Sequence, residues 1–126
     1  MARLITRSPG WYGWTPDLPD HRDLVYQAPL ARIGPLPPKV DLRRECPPVY
    51  SQGSLGSCTA NAIAAALEFD QMKQKERDVF PPSRLFIYYN ERVIEKSIDE
   101  DSGAMIRDGI KSVAKQGART RRCGRT

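Results

Sequence analysis

Apolar positions fall into three runs of helical spacing, all from Cys58 onward. Ala60, Ile63, Ala64 and Leu67 recur at three- and four-residue steps among good helix formers, which predicts a helix from Cys58 to about Lys75. A second helix is predicted after Pro81-Pro82, with Ser83 as its N-cap and Leu85, Phe86, Tyr89 and Val93 as its apolar stripe. A third is predicted from near Ser102, carrying Met105, Ile106, Ile110 and Val113 on one face. Asp101 or Ser102 would cap its start and Gly117 its end. Upstream the periodicity vanishes. Nine of the eleven prolines lie in the first 48 residues, and proline fixes φ and removes a donor, so this lead is expected to be extended and irregular. Its aromatic cluster, Trp11, Tyr12 and Trp14, has faces that can stack on a sugar or base. The simpler expectation is that it pins the lead onto the domain surface. The pattern describes one small, mostly α segment behind a proline-rich lead.

Composition changes this picture little. A hydrophobic fraction of 40% suits a globular domain. No stretch approaches the ~18 consecutive apolar residues of a membrane span, and Arg3 and Arg7 run into Pro9 and Gly10, not into a leader-like apolar run. A cytoplasmic location without membrane association is therefore expected. The net charge of +5 is concentrated in Arg119, Arg121, Arg122 and Arg125, and without them the rest carries about +1. No nucleic-acid partner is expected, the alternative being that residues 118–126 act as a basic interaction arm. Cys46, Cys58 and Cys123 make an odd, irregular set, neither a disulfide framework nor a zinc pair. Asp99-Glu100-Asp101-Ser102-Gly103 has the look of a calcium loop, but Ala104 stands where such a loop needs glycine. No metal or cofactor is expected.

The chemistry lies in Gln52-Gly53-Ser54-Leu55-Gly56-Ser57-Cys58-Thr59-Ala60. A cysteine at a helix N-terminus meets unpaired N–H groups and the positive end of the helix dipole, both of which favour the nucleophilic thiolate. Gly53 and Gly56 let the backbone pass close to a substrate. Gln52 offers an amide donor that, together with the backbone N–H of the nucleophile, can hold an oxyanion. The same pattern also fits an inert, buried cysteine.

This stretch resembles the active-site loop of papain-like cysteine peptidases, where a glutamine and a Gly-rich turn lead to the nucleophile at the head of the central helix. Val40-Asp41-Leu42-Arg43 resembles the V-D-W-R segment that opens the mature enzymes. Ser102-Gly103 lies where the family has a glycine pair that binds substrate backbone. The resemblance covers residues 36–117 and is nearest to bacterial and archaeal members with a Trp- and Pro-rich lead like Gly13 to Tyr26. It implies an α+β fold of which this chain supplies the helical half. Residues 1–36 would form an N-terminal extension, 37–117 the half-domain, and 118–126 a basic tail. The implied roles are Cys58 as nucleophile, Gln52 as oxyanion-hole donor, and Gly103 and Gly56 as substrate contacts.

There are departures. Leu55 and Thr59 stand where the family commonly has a disulfide cysteine and a tryptophan. The family's histidine and asparagine fall roughly 130–150 residues past the cysteine, beyond the 126 residues here. The single histidine, His21, precedes the nucleophile and matches no motif, so the chain is expected to be nearly inert as a peptidase. Back-translation of the tail in another frame permits a Trp-Pro-Tyr continuation like the family's, so a frameshift or truncation near Ala118 is the expected origin of residues 118–126. The function classes left open are a peptidase fragment acting on peptides, a catalytically dead peptide binder, and a basic-tail interaction module. An exposed half-cleft would favour self-association.

Overall fold

The computed structural model describes residues 13–25, 27, 29 and 34–120. In chain order these form strand β1 (Trp14–Thr15), helices α1 (Cys58–Lys73) and α2 (Arg84–Ile94), strand β2 (Ala104–Met105) and helix α3 (Ile106–Gln116). β1 and β2 pair in parallel, with Trp14 opposite Ala104 and Thr15 opposite Met105. Parallel strands need a long crossover. Here it consists of the rest of the lead, α1 and α2, so the start of the described chain pairs with β2, immediately before α3.

α1 follows its apolar spacing. Thr59, Ala60, Ile63 and Ala64 are buried, and the two alanines let α2 and α3 approach closely. The helix stops at Lys73, two residues before the predicted end. There Lys75 takes a left-handed φ of 54° and the Glu76 N–H reaches back 3.1 Å to the Gln71 carbonyl. The core comprises Ala60, Ile63, Ala64, Ile87, Tyr88 and Ala104, with Tyr50, Leu55, Leu67 and Val113 packed around it.

α2 begins as predicted. The Ser83 hydroxyl accepts from the Phe86 N–H at 3.4 Å. Its buried face, however, is not the predicted stripe. Leu85, Tyr89 and Val93 are exposed, whereas Ile87, Tyr88, Asn90, Glu91 and Arg92 are buried. An apolar-stripe reading assigns charged residues to solvent. Here Glu91 and Arg92 point inward because the neighbouring elements offer them hydrogen-bond partners.

α3 starts at Ile106 rather than Ser102, because Gly103 at φ 80° and the extended pair Ala104–Met105 interrupt the chain. Neither Asp101 nor Ser102 caps the helix. The capping acceptor comes from the lead, Asp17 Oδ1 taking the Arg107 N–H at 3.0 Å. The helix buries Asp108, Gly109 and Ser112, and Ile110 of the predicted face is exposed. Gly117 does end it, at φ 73°, with its N–H 2.8 Å from the Val113 carbonyl.

The lead is held by backbone and acids rather than by Trp14, which is half exposed. The Ala104 N–H donates to the Gly13 carbonyl at 2.8 Å, and Arg107 grips Asp23 through two bonds of 2.6 and 2.7 Å. Trp11 and Tyr12 lie outside the described residues, as do Arg121, Arg122, Cys123 and Arg125. Arg119 and Thr120 pack at the start of α2. Ser83 N–H donates to the Arg119 carbonyl at 2.7 Å, and Thr120 bridges to Pro82. The outer face of α1 is uncovered, flanked by one apolar groove along Leu42, Pro47 and Phe69 and another along Leu67, Ile110 and Val113. No helix among the described residues is long and apolar enough to cross a membrane.

Candidate active site

The site is assembled from two loops and the head of α1. In the first loop, Gly53 at φ 64° makes the turn, and the Gln52 side-chain amide closes it by donating to the Leu55 carbonyl at 2.9 Å. A primary amide has two N–H groups, and this bond uses one of them. Cys58 is the first residue of α1 and is half-buried. Ser57 provides no side-chain cap, so the N–H groups of the first turn are not taken up by its hydroxyl.

The sulfur is not acidified as the helix N-terminus suggests. Burial pushes the Cys58 pKa up. The backbone N–H groups of Thr59 and of Cys58 itself pull the other way without prevailing, Glu91 adds a further upward push, and the Gly13 backbone a downward one. In these surroundings the resting form at neutral pH is the thiol.

The second loop brings Gly103 against the first. Gly56 donates its N–H to both carboxylate oxygens of Asp101 at 3.0 Å, and Asp101 also accepts the Tyr88 hydroxyl at 2.6 Å. Asp101, bonded by both Gly56 and Tyr88, therefore ties the Cys58 loop to both α2 and the Gly103 loop. Arg92 holds that second loop from below, donating to the Gly103 carbonyl, to the Ser97 carbonyl at 2.6 Å and to Ser102 Oγ at 2.7 Å. Glu95 Oε1 accepts the Met105 N–H at 2.7 Å.

Between the loops runs the chain's own lead. A Cβ on Gly13 would overlap the Gly56 carbonyl, and one on Gly103 would overlap Gly13. Gly13 thus lies between the two glycines singled out from the sequence, in a passage too narrow for a side chain. The backbone edge beginning at Gly103 is already used by residues 13–15.

The structure therefore gathers Gly56, Cys58 and Gly103 around one stretch of backbone and places Gln52 in the same loop as Cys58. His21 sits on an exposed turn, its Nδ1 4.0 Å from Asp20. Sequence reading missed Gly13, Tyr88, Arg92, Glu95 and the true partners of Asp101. Gly13 carried a faint signal, being the only glycine in an otherwise bulky stretch from Trp11 to Tyr26. Arg92 and Glu95 carried none, since charged residues on a predicted helix read as solvated.

No family model matches the chain. Among curated proteins it is similar to an uncharacterized peptidase C1-like protein of Acanthamoeba polyphaga mimivirus. Identity is 48% over 122 residues, covering 84% of this chain and 39% of the relative. Among solved structures it is similar to xylellain, a cysteine protease from Xylella fastidiosa. The TM-score is 0.79 at 52% identity, over 94% of this chain and 44% of that one. The chain thus spans less than half the length of either relative. Over that span it is homologous to the papain-like (C1) cysteine peptidases and has part of their fold, three helices and a small parallel sheet.

Proposed function

We propose that the chain is the nucleophile-bearing part of a cysteine peptidase, with Cys58 as nucleophile, Gln52 and the Cys58 N–H as oxyanion donors, and Gly56 and Gly103 lining the path of the peptide. The observation that carries this reading is that Cys58, at the head of α1, shares one narrow site with an extended backbone segment already threaded between Gly56 and Gly103. A peptide substrate is likewise an extended backbone, and it would have to displace residues 13–15 to reach the same edge.

The chemistry follows from the groups present. Thiolate attack on a peptide carbonyl forms a C–S bond and places negative charge on oxygen, where the free N–H of Gln52 and the first backbone N–H of α1 stabilise it. Collapse to the acyl-enzyme requires a proton for the departing amine. The one histidine of this chain is exposed His21, so no imidazole is supplied at Cys58. By itself the chain is expected to be modified at Cys58 by electrophilic peptides without turning over.

Labelling with a peptidyl epoxide, mapped by mass spectrometry, tests this. Cys58 should react at least several-fold faster than exposed Cys46, although its thiol is the more buried. Equal labelling, or preference for Cys46, overturns the reading and leaves a binding module without peptidase chemistry.

A further inference from the structure

Three helices meet on one carboxyl group. Glu91 of α2 has no exposed surface. Its Oε2 accepts the Thr59 hydroxyl at 2.9 Å, and Thr59 is the residue of α1 that follows Cys58. Its Oε1 has no hydrogen-bond partner among the described residues. That oxygen lies against Gly109 of α3, where a Cβ would overlap both it and Ile63 Cδ1. Gly109 is the only glycine within α3, and it stands where the carboxyl group requires the space.

A buried carboxylate with one hydrogen bond is expensive to keep ionised. Burial is the main reason its pKa is pushed up to about 7. The Thr59 bond and Arg92 oppose the rise, while Glu95 at the C-cap of α2 and Asp108 on α3 add to it. On the α1 side the ionisable neighbour is Cys58 itself, whose ionisation Glu91 disfavours. The group is thus placed to change charge near neutral pH directly behind the first turn of α1.

We propose that Glu91 is a positioning residue for the Cys58 thiol, its buried carboxyl fixing the first turn of α1 through Thr59 and its charge governing how readily the adjacent sulfur ionises. The proposal rests on the reading of Cys58 as the reactive thiol. With Glu91 protonated, the helix N–H groups act on the sulfur unopposed by a neighbouring anion. Once Glu91 loses its proton, a second negative charge on the sulfur is disfavoured. The ease with which the sulfur ionises therefore follows the charge on the carboxyl.

The test uses the full chain and iodoacetamide, a small neutral alkylating agent, with rates at each cysteine read by mass spectrometry from about pH 5.5 to about pH 9. In the native chain the logarithm of the Cys58 rate should climb with less than unit slope across the Glu91 titration. Glu91→Gln should restore unit slope, matching the native rate at the acidic end and exceeding it about threefold near pH 8, equivalent to roughly half a pKa unit. Exposed Cys46 should respond identically in both proteins. A general loosening of the fold would raise the Cys58 rate at every pH, so convergence at low pH distinguishes a charge effect from a structural one. Superimposable profiles overturn the proposal. Should the Gln variant not fold, the native profile decides alone, and unit slope throughout the neutral range overturns it. Iodoacetamide requires no peptide recognition, so this result stands apart from that of the peptidyl epoxide.

Discussion

Arg43 in the lead and Arg92 in α2 are the same residue set to opposite uses. Arg43 bonds to Asp41 two positions away, and its side chain is 83% exposed. Arg92 is 3% exposed and bonds to the carbonyls of Gly103 and Ser97, to Ser102 Oγ and to Glu95. The first pair joins neighbours that the chain already holds close, in solvent that screens the attraction. The second joins α2 to a loop about ten residues downstream and fixes the position of Gly103 at the candidate site. The residue types are alike in both regions. What separates them is burial: exposure to solvent weakens the local pair, whereas the buried guanidinium serves groups that would each lose a hydrogen bond without it.

The largest effect that would sharpen this contrast is expected from Arg92→Met. It keeps most of the side-chain volume but removes every donor, so the Gly103 carbonyl, Ser102 Oγ and Glu95 lose their Arg92 bonds and the Ser97 carbonyl keeps only the Glu100 N–H. Urea denaturation should show a loss of roughly 3–5 kcal/mol. A loss below about 1 kcal/mol would mean that the buried network does not hold the loop.

An intermediate effect should come from pH, through Glu91. Its folded pKa, about 7, is raised above the ordinary value of 4.5. Stability from this group is therefore fully present below about pH 4.5 and is lost as pH rises toward 7, by roughly 3 kcal/mol at most. The depressed carboxyls run the other way. Hydrogen bonds from Arg22, Arg107 and Arg43 lower Asp20, Asp23 and Asp41 respectively, so their contributions persist above the ordinary carboxylate range and fade only in stronger acid. Denaturant midpoints between about pH 4.5 and 8 should fall in the native chain and stay nearly level in Glu91→Gln.

The smallest effect is expected from Arg43→Ala, whose thermal midpoint should match that of the native chain within measurement error. A clear drop would break the comparison, showing that the exposed lead is held by its local ion pairs rather than by Asp17, Asp23 and the β1–β2 pairing.

How much was readable in advance depended on whether the signal was local. The head of α1 at Cys58, the Ser83 cap and the Gly117 stop were all legible, because each is decided by a residue and its immediate neighbours. The buried face of α2 was not. Periodicity counts apolar residues, and this face carries Asn90, Glu91 and Arg92: Asn90 bonds to the Phe86 carbonyl one turn back, but Glu91 and Arg92 are received by Thr59 and by the Gly103 loop, outside the helix. The start of α3 was misplaced for the same reason, its cap being Asp17 from the other end of the described chain.

The sequence by itself determined the three helices, the placement of a cysteine at a helix mouth, and a glutamine and glycines in the turn before it, since short-range sterics and hydrogen bonding suffice for these. Only the tertiary structure decided that Gly13 threads between Gly56 and Gly103, that the Cys58 thiol is raised rather than acidified, and that Glu91 sits behind it. Those outcomes depend on desolvation and on contacts between distant segments, and neither exists until the chain has folded.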